Sequence, residues 1–197
     1  MKTRSIISTV LALGLAVTST GCGSKGSSSS ASYEPRFTTA ELTEKISICG
    51  KQLKYPFTAA DLGDEFFLDS YAQQGSDYAM IDIFNKDGVV CTFEYTCTPE
   101  EVDKDKTVSA ILYTPNDFNK DAVSIDGFTV NDNISVLKEK LGEPEPNDTS
   151  LVVYPTKDNG RLEILAHSSG KVSSINFIME PNGDSFLQDV ESLAATD

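Results

Sequence analysis

Ile46-Ser47-Ile48-Cys49-Gly50 and Val123-Ser124-Ile125-Asp126-Gly127 are the two stretches on which the reading of the fold turns. Each sets apolar residues at alternate positions, the period of a half-buried strand, and each ends in glycine. Each is followed by a short helix signal and then by three strand signals. A pattern that recurs along one chain reads as a duplicated supersecondary unit.

In the second half, Asn133 is a candidate N-cap, and Ile134, Leu137 and Leu141, with Val136, line one helical face. Gly142 ends that helix and Pro144 keeps it from resuming. Strands are predicted over Leu151–Pro155, Arg161–His167 and Lys171–Met179. The links Lys157-Asp158-Asn159-Gly160 and Ser168-Ser169-Gly170 are short enough to make an antiparallel meander. In the first half, Thr58 with Asp61 three residues on predicts a helix over Ala59–Phe67, at a cost of about 1 kcal/mol for Gly63 relative to alanine. Strands follow over Tyr78–Phe84 and Val89–Cys97, then Val108–Thr114 after an acidic loop. The expected fold is α+β: two tandem units, each a short helix on a three- to four-stranded antiparallel sheet. They cover residues 33–115 and 116–182. Ile81, Ile83, Leu162, Ile164, Val172, Ile175 and Phe177 are expected to bury one sheet face, leaving the other wet. Residues 183–197 carry Phe186, Val190 and Leu193 at helical spacing, the mark of a short terminal helix.

The N-terminus carries an address. Lys2 and Arg4 precede an apolar run from Ile6 to Val17, then small residues up to Gly21. This is the layout of a secretory signal, residues 1–21. The run is short of the ~20 residues a spanning helix needs. Thr20-Gly21-Cys22 resembles the lipobox of bacterial lipoproteins, in which the cysteine is acylated and becomes the mature N-terminus. Ser19 stands where an aliphatic residue is usual, and an ordinary cleaved signal is the alternative. With the lipid, the protein would sit on the extracytoplasmic face of the cell membrane, held by that anchor alone; two acyl chains hold a protein stably. Residues 22–32, the cysteine and a Gly/Ser tether, read as a flexible leash.

Roughly 165 residues follow, enough for one ordinary domain or two small ones. The formal net charge is −14, and more negative once the signal's two cations are set aside. A nucleic-acid partner, which needs a basic footprint, is excluded on that ground. So acidic a surface serves solubility, or else meets a cationic partner or calcium.

With Cys22 acylated, Cys49, Cys91 and Cys97 remain. Cys91 and Cys97 bracket one predicted strand of about 20 Å, too long for a disulfide, whose Cα atoms lie about 5.5 Å apart. A bridge would therefore join Cys49 to Cys91 or Cys97; otherwise all three are buried thiols. The chain has one histidine, His167, and no Trp. No nucleophile elbow, zinc-protease helix or phosphate loop is present, and Cys and His lack zinc-site spacing. Asp103 with Asp105, and Asp61 with Asp64 and Glu65, fall short of a calcium loop, which also wants a central glycine and a terminal Glu. No catalytic residue, metal or cofactor is expected, and the chain reads as a non-enzyme.

Gly127-Phe128-Thr129-Val130-Asn131-Asp132-Asn133-Ile134, then Leu141-Gly142-Glu143-Pro144, then Gly170-Lys171-Val172-Ser173-Ser174-Ile175 together resemble a group of small lipoprotein domains. That group includes the β-lactamase-inhibitor-protein-like fold and the small outer-membrane-assembly lipoproteins. The resemblance spans roughly residues 44–180 and implies a non-catalytic module that binds another protein through a sheet face. It transfers no contact residue. A solute- or glycan-binding lipoprotein is the alternative, with seven Tyr and ten Phe as a stacking supply, and a hydrolase of unrecognised type comes third.

Overall fold

The computed structural model describes residues 33–74, 78–146 and 150–180. In chain order they form helix α1 (Thr39–Thr43), strands β1 (Ile46–Ile48) and β2 (Lys51–Gln52), a 3-10 turn over Ala59–Leu62, strands β3 (Phe67–Gln74), β4 (Ala79–Asn85) and β5 (Gly88–Tyr95), and a 3-10 turn over Pro99–Glu101. Strands β6 (Ala110–Tyr113) and β7 (Val123–Ile125), helix α2 (Ile134–Leu141), and strands β8 (Leu151–Pro155), β9 (Arg161–Ala166) and β10 (Val172–Ile178) follow.

The two duplicated stretches are matching hairpin starts. Cys49 and Gly50 have φ of 48° and 79°, and Asp126 and Gly127 have 49° and 79°. Positive φ at both central residues is the two-residue turn whose twist suits flanking strands, and glycine bears it without strain. The hairpins also pair with each other: β1 runs antiparallel to β7, with Ser47 opposite Ser124 and their hydroxyls 2.8 Å apart. The Cys49 N–H donates to the Ala122 carbonyl, the Asp126 N–H to the Lys45 carbonyl, and Lys45 Nζ meets the Asp126 carboxylate at 2.8 Å. With β2 these strands make a small three-stranded sheet.

Beyond the hairpins the repetition fails, and the expected pair of helix-on-sheet units is corrected. The remaining strands form one continuous seven-stranded antiparallel sheet in the order β3-β4-β5-β6-β10-β9-β8. Its joint is β6 against β10, with Tyr113 opposite Ile175 and Ala110 opposite Ile178. Two separate ribbons would each expose an edge of unpaired backbone; fusing them along β6 and β10 removes both edges. The helices are also too few to roof two sheets. The expected helix over Ala59–Phe67 is a single 3-10 turn, Ala59–Leu62, capped by the Asp61 carboxylate on the Thr58 N–H at 2.8 Å. Gly63, at φ 97° and ψ 177°, leaves helical geometry at once, and Phe67 already belongs to β3. The eight-residue α2 is the longest helix among the described residues. Asn133 Oδ1 accepts the Ser135 N–H at its start, and Gly142 at φ 89° ends it.

One face of the large sheet builds the core. Cross-strand neighbours Ile81, Phe93, Ile111, Phe177, Leu162 and Tyr154 form one buried row across six strands. Leu42, the β1 and β7 isoleucines, Phe57, Leu62, Phe128, Leu137 and Leu141 pack against that side. Phe57 meets Phe93 edge-on, ring centroids 5.6 Å apart. Each such buried side chain contributes about 1.5–3 kcal/mol relative to exposure.

Candidate binding surface

Side chains alternate across a strand, so every residue between the core positions points to the opposite face. The cross-strand register therefore lays out a second row, Asp82, Thr92, Leu112, Asn176, Glu163 and Val153. Met80, Glu94, Ala110, Ile178 and Arg161 flank it on one side; Ser174, Leu165 and Leu151 flank it on the other. A groove of about 390 Å³ opens on this face, lined by Met80, Asp82, Thr92, Leu112, Thr114, Ser174 and Asn176 among others. Leu112 and Met80 give it apolar surface, and hydroxyls, an amide and a carboxylate share its lining. Leu165 is 41% exposed, and at the far edge Phe67, 50% exposed, stacks on Phe84 with ring planes 7° apart.

The face is also acidic. The Asp82 carboxylate accepts the Thr92 hydroxyl at 2.5 Å. Burial pushes the Glu94 carboxyl above the usual carboxylate range. Glu163 is only 4% exposed; its Oε1 accepts Arg161 Nε at 2.5 Å, and its Oε2 is buried with no hydrogen-bond partner. An orphaned buried carboxylate oxygen costs about 1–3 kcal/mol, and more when charged.

A second cavity, about 560 Å³, lies beyond the end of the β6–β10 pairing. Its lining combines the start of the β6–β7 connection, at Pro115–Asp117 and Lys120, with Val130 and Asn131 and with Lys171 and Val172 at the start of β10. The β6–β7 connection is braced from below. The Tyr113 hydroxyl reaches the carbonyls of Asn119 at 2.7 Å and Lys120 at 2.6 Å, and the side-chain amides of Asn116 and Asn119 both donate to the Val89 carbonyl.

The residues singled out from sequence do not converge on either cavity, apart from Cys91. Cys22 and the tether lie outside the described residues, as does the tail from 181. Cys49 sits exposed in the β1–β2 turn, where the Asn85 amide approaches its sulfur at 3.8 Å; Cys91 and Cys97 are buried, and all three are free thiols. Burial raises all three thiol pKa values, and for Cys91 the neighbouring Cys49 adds to the effect. Cys91 also lines the groove. His167 is exposed in the β9–β10 turn, its backbone bonded to Lys171 and Gly170. Asp61 caps a turn and Asp103 Oδ1 accepts the Asp105 N–H. No group of three or more metal-ligating side chains occurs among the described residues. The lysines of the second cavity were missed, because Lys120 and Lys171 are brought together only by the β6–β10 pairing. The alternating polar residues of β10, Ser174 and Asn176, were the one local signal of an open face. No family model, curated protein or solved structure matches this chain.

Proposed function

We propose that the chain is an extracytoplasmic lipoprotein, tethered through Cys22, whose open sheet face binds another protein without catalysis. The groove on that face carries the proposal: Leu112 and Met80 give it apolar surface among hydroxyl, amide and carboxylate groups, and exposed Leu165 extends the apolar surface beside it on β9. Interfaces of this build bury an apolar middle inside a polar rim. The acidic margin at Asp82 and Glu94 suits a partner with basic residues around an apolar anchor, since complementary charge steers encounter and sets register. The Gly/Ser tether lets such a face stand clear of the lipid surface. The proposed likeness to the inhibitor-like lipoprotein domains points to the same use of a sheet. A photo-crosslinking residue at Asn176, on the face, is expected to capture a defined envelope protein in living cells. The same residue at Ser135, on helix α2 behind the core, is expected to capture none. Equal capture at the two positions, or no adduct at Asn176, would refute the proposal.

A further inference from the structure

We infer that the second cavity, between the β6–β7 connection and the β9–β10 hairpin, is a site for an organic monocarboxylate. This inference stands independently of the protein-binding proposal. The cavity, about 560 Å³, has the size of a small-ligand site. Two ammonium groups, Lys120 and Lys171, line it in a chain whose formal net charge is −14. Lys120 shares its charge with Asp117, 3.7 Å away, whereas Lys171 is in no ion pair among the described residues. Of the side chains that line it, two lysines and one aspartate leave one net positive charge, and the Asp121 carboxylate bonded to Asn131 in the wall further disfavours a phosphate dianion relative to a monoanion.

The remaining walls suit an organic body on that acid. Val130 and Val172 are buried side chains that floor the cavity, and Pro115 closes one side. The Asn131 amide is already committed to the Asp121 carboxylate and Lys120 is shared with Asp117, which leaves Lys171 as the donor in no ion pair among the described residues and Lys120 as its partner. Both lysine-bearing segments are fixed before any ligand arrives. The Tyr113 hydroxyl and the Asn116 amide hold the connection that carries Lys120, and a backbone bridge from Asn133 pins Lys171. Such preorganisation removes part of the ordering cost of binding.

The carboxylate has two sources, a free organic acid or an acidic side chain of a polypeptide, and two titrations separate them. Full-length protein is titrated by NMR with glucuronate and hexanoate in one arm and with the peptide acetyl-Ala-Glu-Ala-amide in the other. Saturable shifts at the amides of Lys171, Val172 and Asn131 in either arm are the expected result, and the arm that saturates identifies the source. Lys171→Gln and Lys120→Gln are each expected to weaken that binding at least tenfold, with Lys171→Arg recovering most of it and with unchanged melting temperatures. Inorganic phosphate is expected to bind more weakly than the carboxylate. No saturation in either arm, wild-type affinity in both glutamine variants, or tighter binding of phosphate would overturn the inference.

Discussion

Replacing Tyr113 with Phe removes one oxygen atom from a side chain that is wholly buried, and its consequence can be worked out from the bonds lost. The hydroxyl lies 2.7 Å from the Asn119 carbonyl and 2.6 Å from the Lys120 carbonyl. It has one proton to share between them. The Asn119 oxygen keeps a second donor, the Ala122 N–H at 3.3 Å, so the Lys120 carbonyl carries most of the loss. The phenyl ring still fills its place, so no cavity term is added. One hydrogen bond and one partly unsatisfied carbonyl come to about 1–2 kcal/mol. For a domain of this size that is a fall in Tm of about 2–8 °C. The same burial that raises the phenol pKa to about 12 keeps the hydroxyl protonated and donating at neutral pH. Calorimetry on wild type and Tyr113→Phe reads the loss, and amide exchange should quicken over 116–120 while the β9 amides stay protected. A Tm change under 1 °C, with exchange unaltered in that connection, would refute the bracing role given to Tyr113.

Gly50→Ala and Gly127→Ala should each cost about 1 kcal/mol, because each sits at φ 79° with open space around it and only the backbone is strained. The two losses, read by denaturant unfolding, should agree closely, as the turn geometries do. Thiol titration should label Cys49 first and Cys91 only on unfolding, with Cys49 slower than a free thiol, since burial raises its pKa. Burial alone would raise the Asp158 carboxyl, but hydrogen bonds from Thr39 and Thr156 outweigh it and hold the group below its usual range. The stability it lends, by tying α1 to the β8–β9 turn, is therefore present above its ordinary pKa and lost as pH falls through the lowered one. The wild type should lose more stability than Asp158→Asn between about pH 5 and 3, followed by thermal melting across that range.

Much of the strand content could be read locally, because alternation of apolar and polar residues carries it. Strand β8 lies at Leu151–Pro155 as read, and β9 and β10 each end within one residue of their predicted limits. Asn133 and Gly142 bound α2 because capping is a local matter. The first half is less legible. Phe66 and Phe67 look like the end of a helical stripe, yet Gly63 breaks the helix after one turn and Phe67 opens β3. Strand β1 is legible in the alternation of Ile46 and Ile48, but strand β2 has only two residues and helix α1 only five, too short to show a period. The decisive error concerns neighbours. The β6–β10 register joins residues such as Leu112 and Asn176, and nothing near either residue in the chain announces the other. The face expected to stay wet is partly buried, at Ala110, Ile178 and Glu163, and neither its groove nor the Lys120–Lys171 cavity is legible locally, since both are assembled by that pairing.

Binding of the crosslinked partner to a Leu112→Asp, Leu165→Asp double variant tests the central claim most directly. Both side chains leave the core untouched, so folding checked by melting should be near wild type while affinity falls at least thirtyfold, and Ser135→Asp on α2 should bind as wild type. Undiminished affinity in the folded double variant would contradict a binding role for the open face of the sheet.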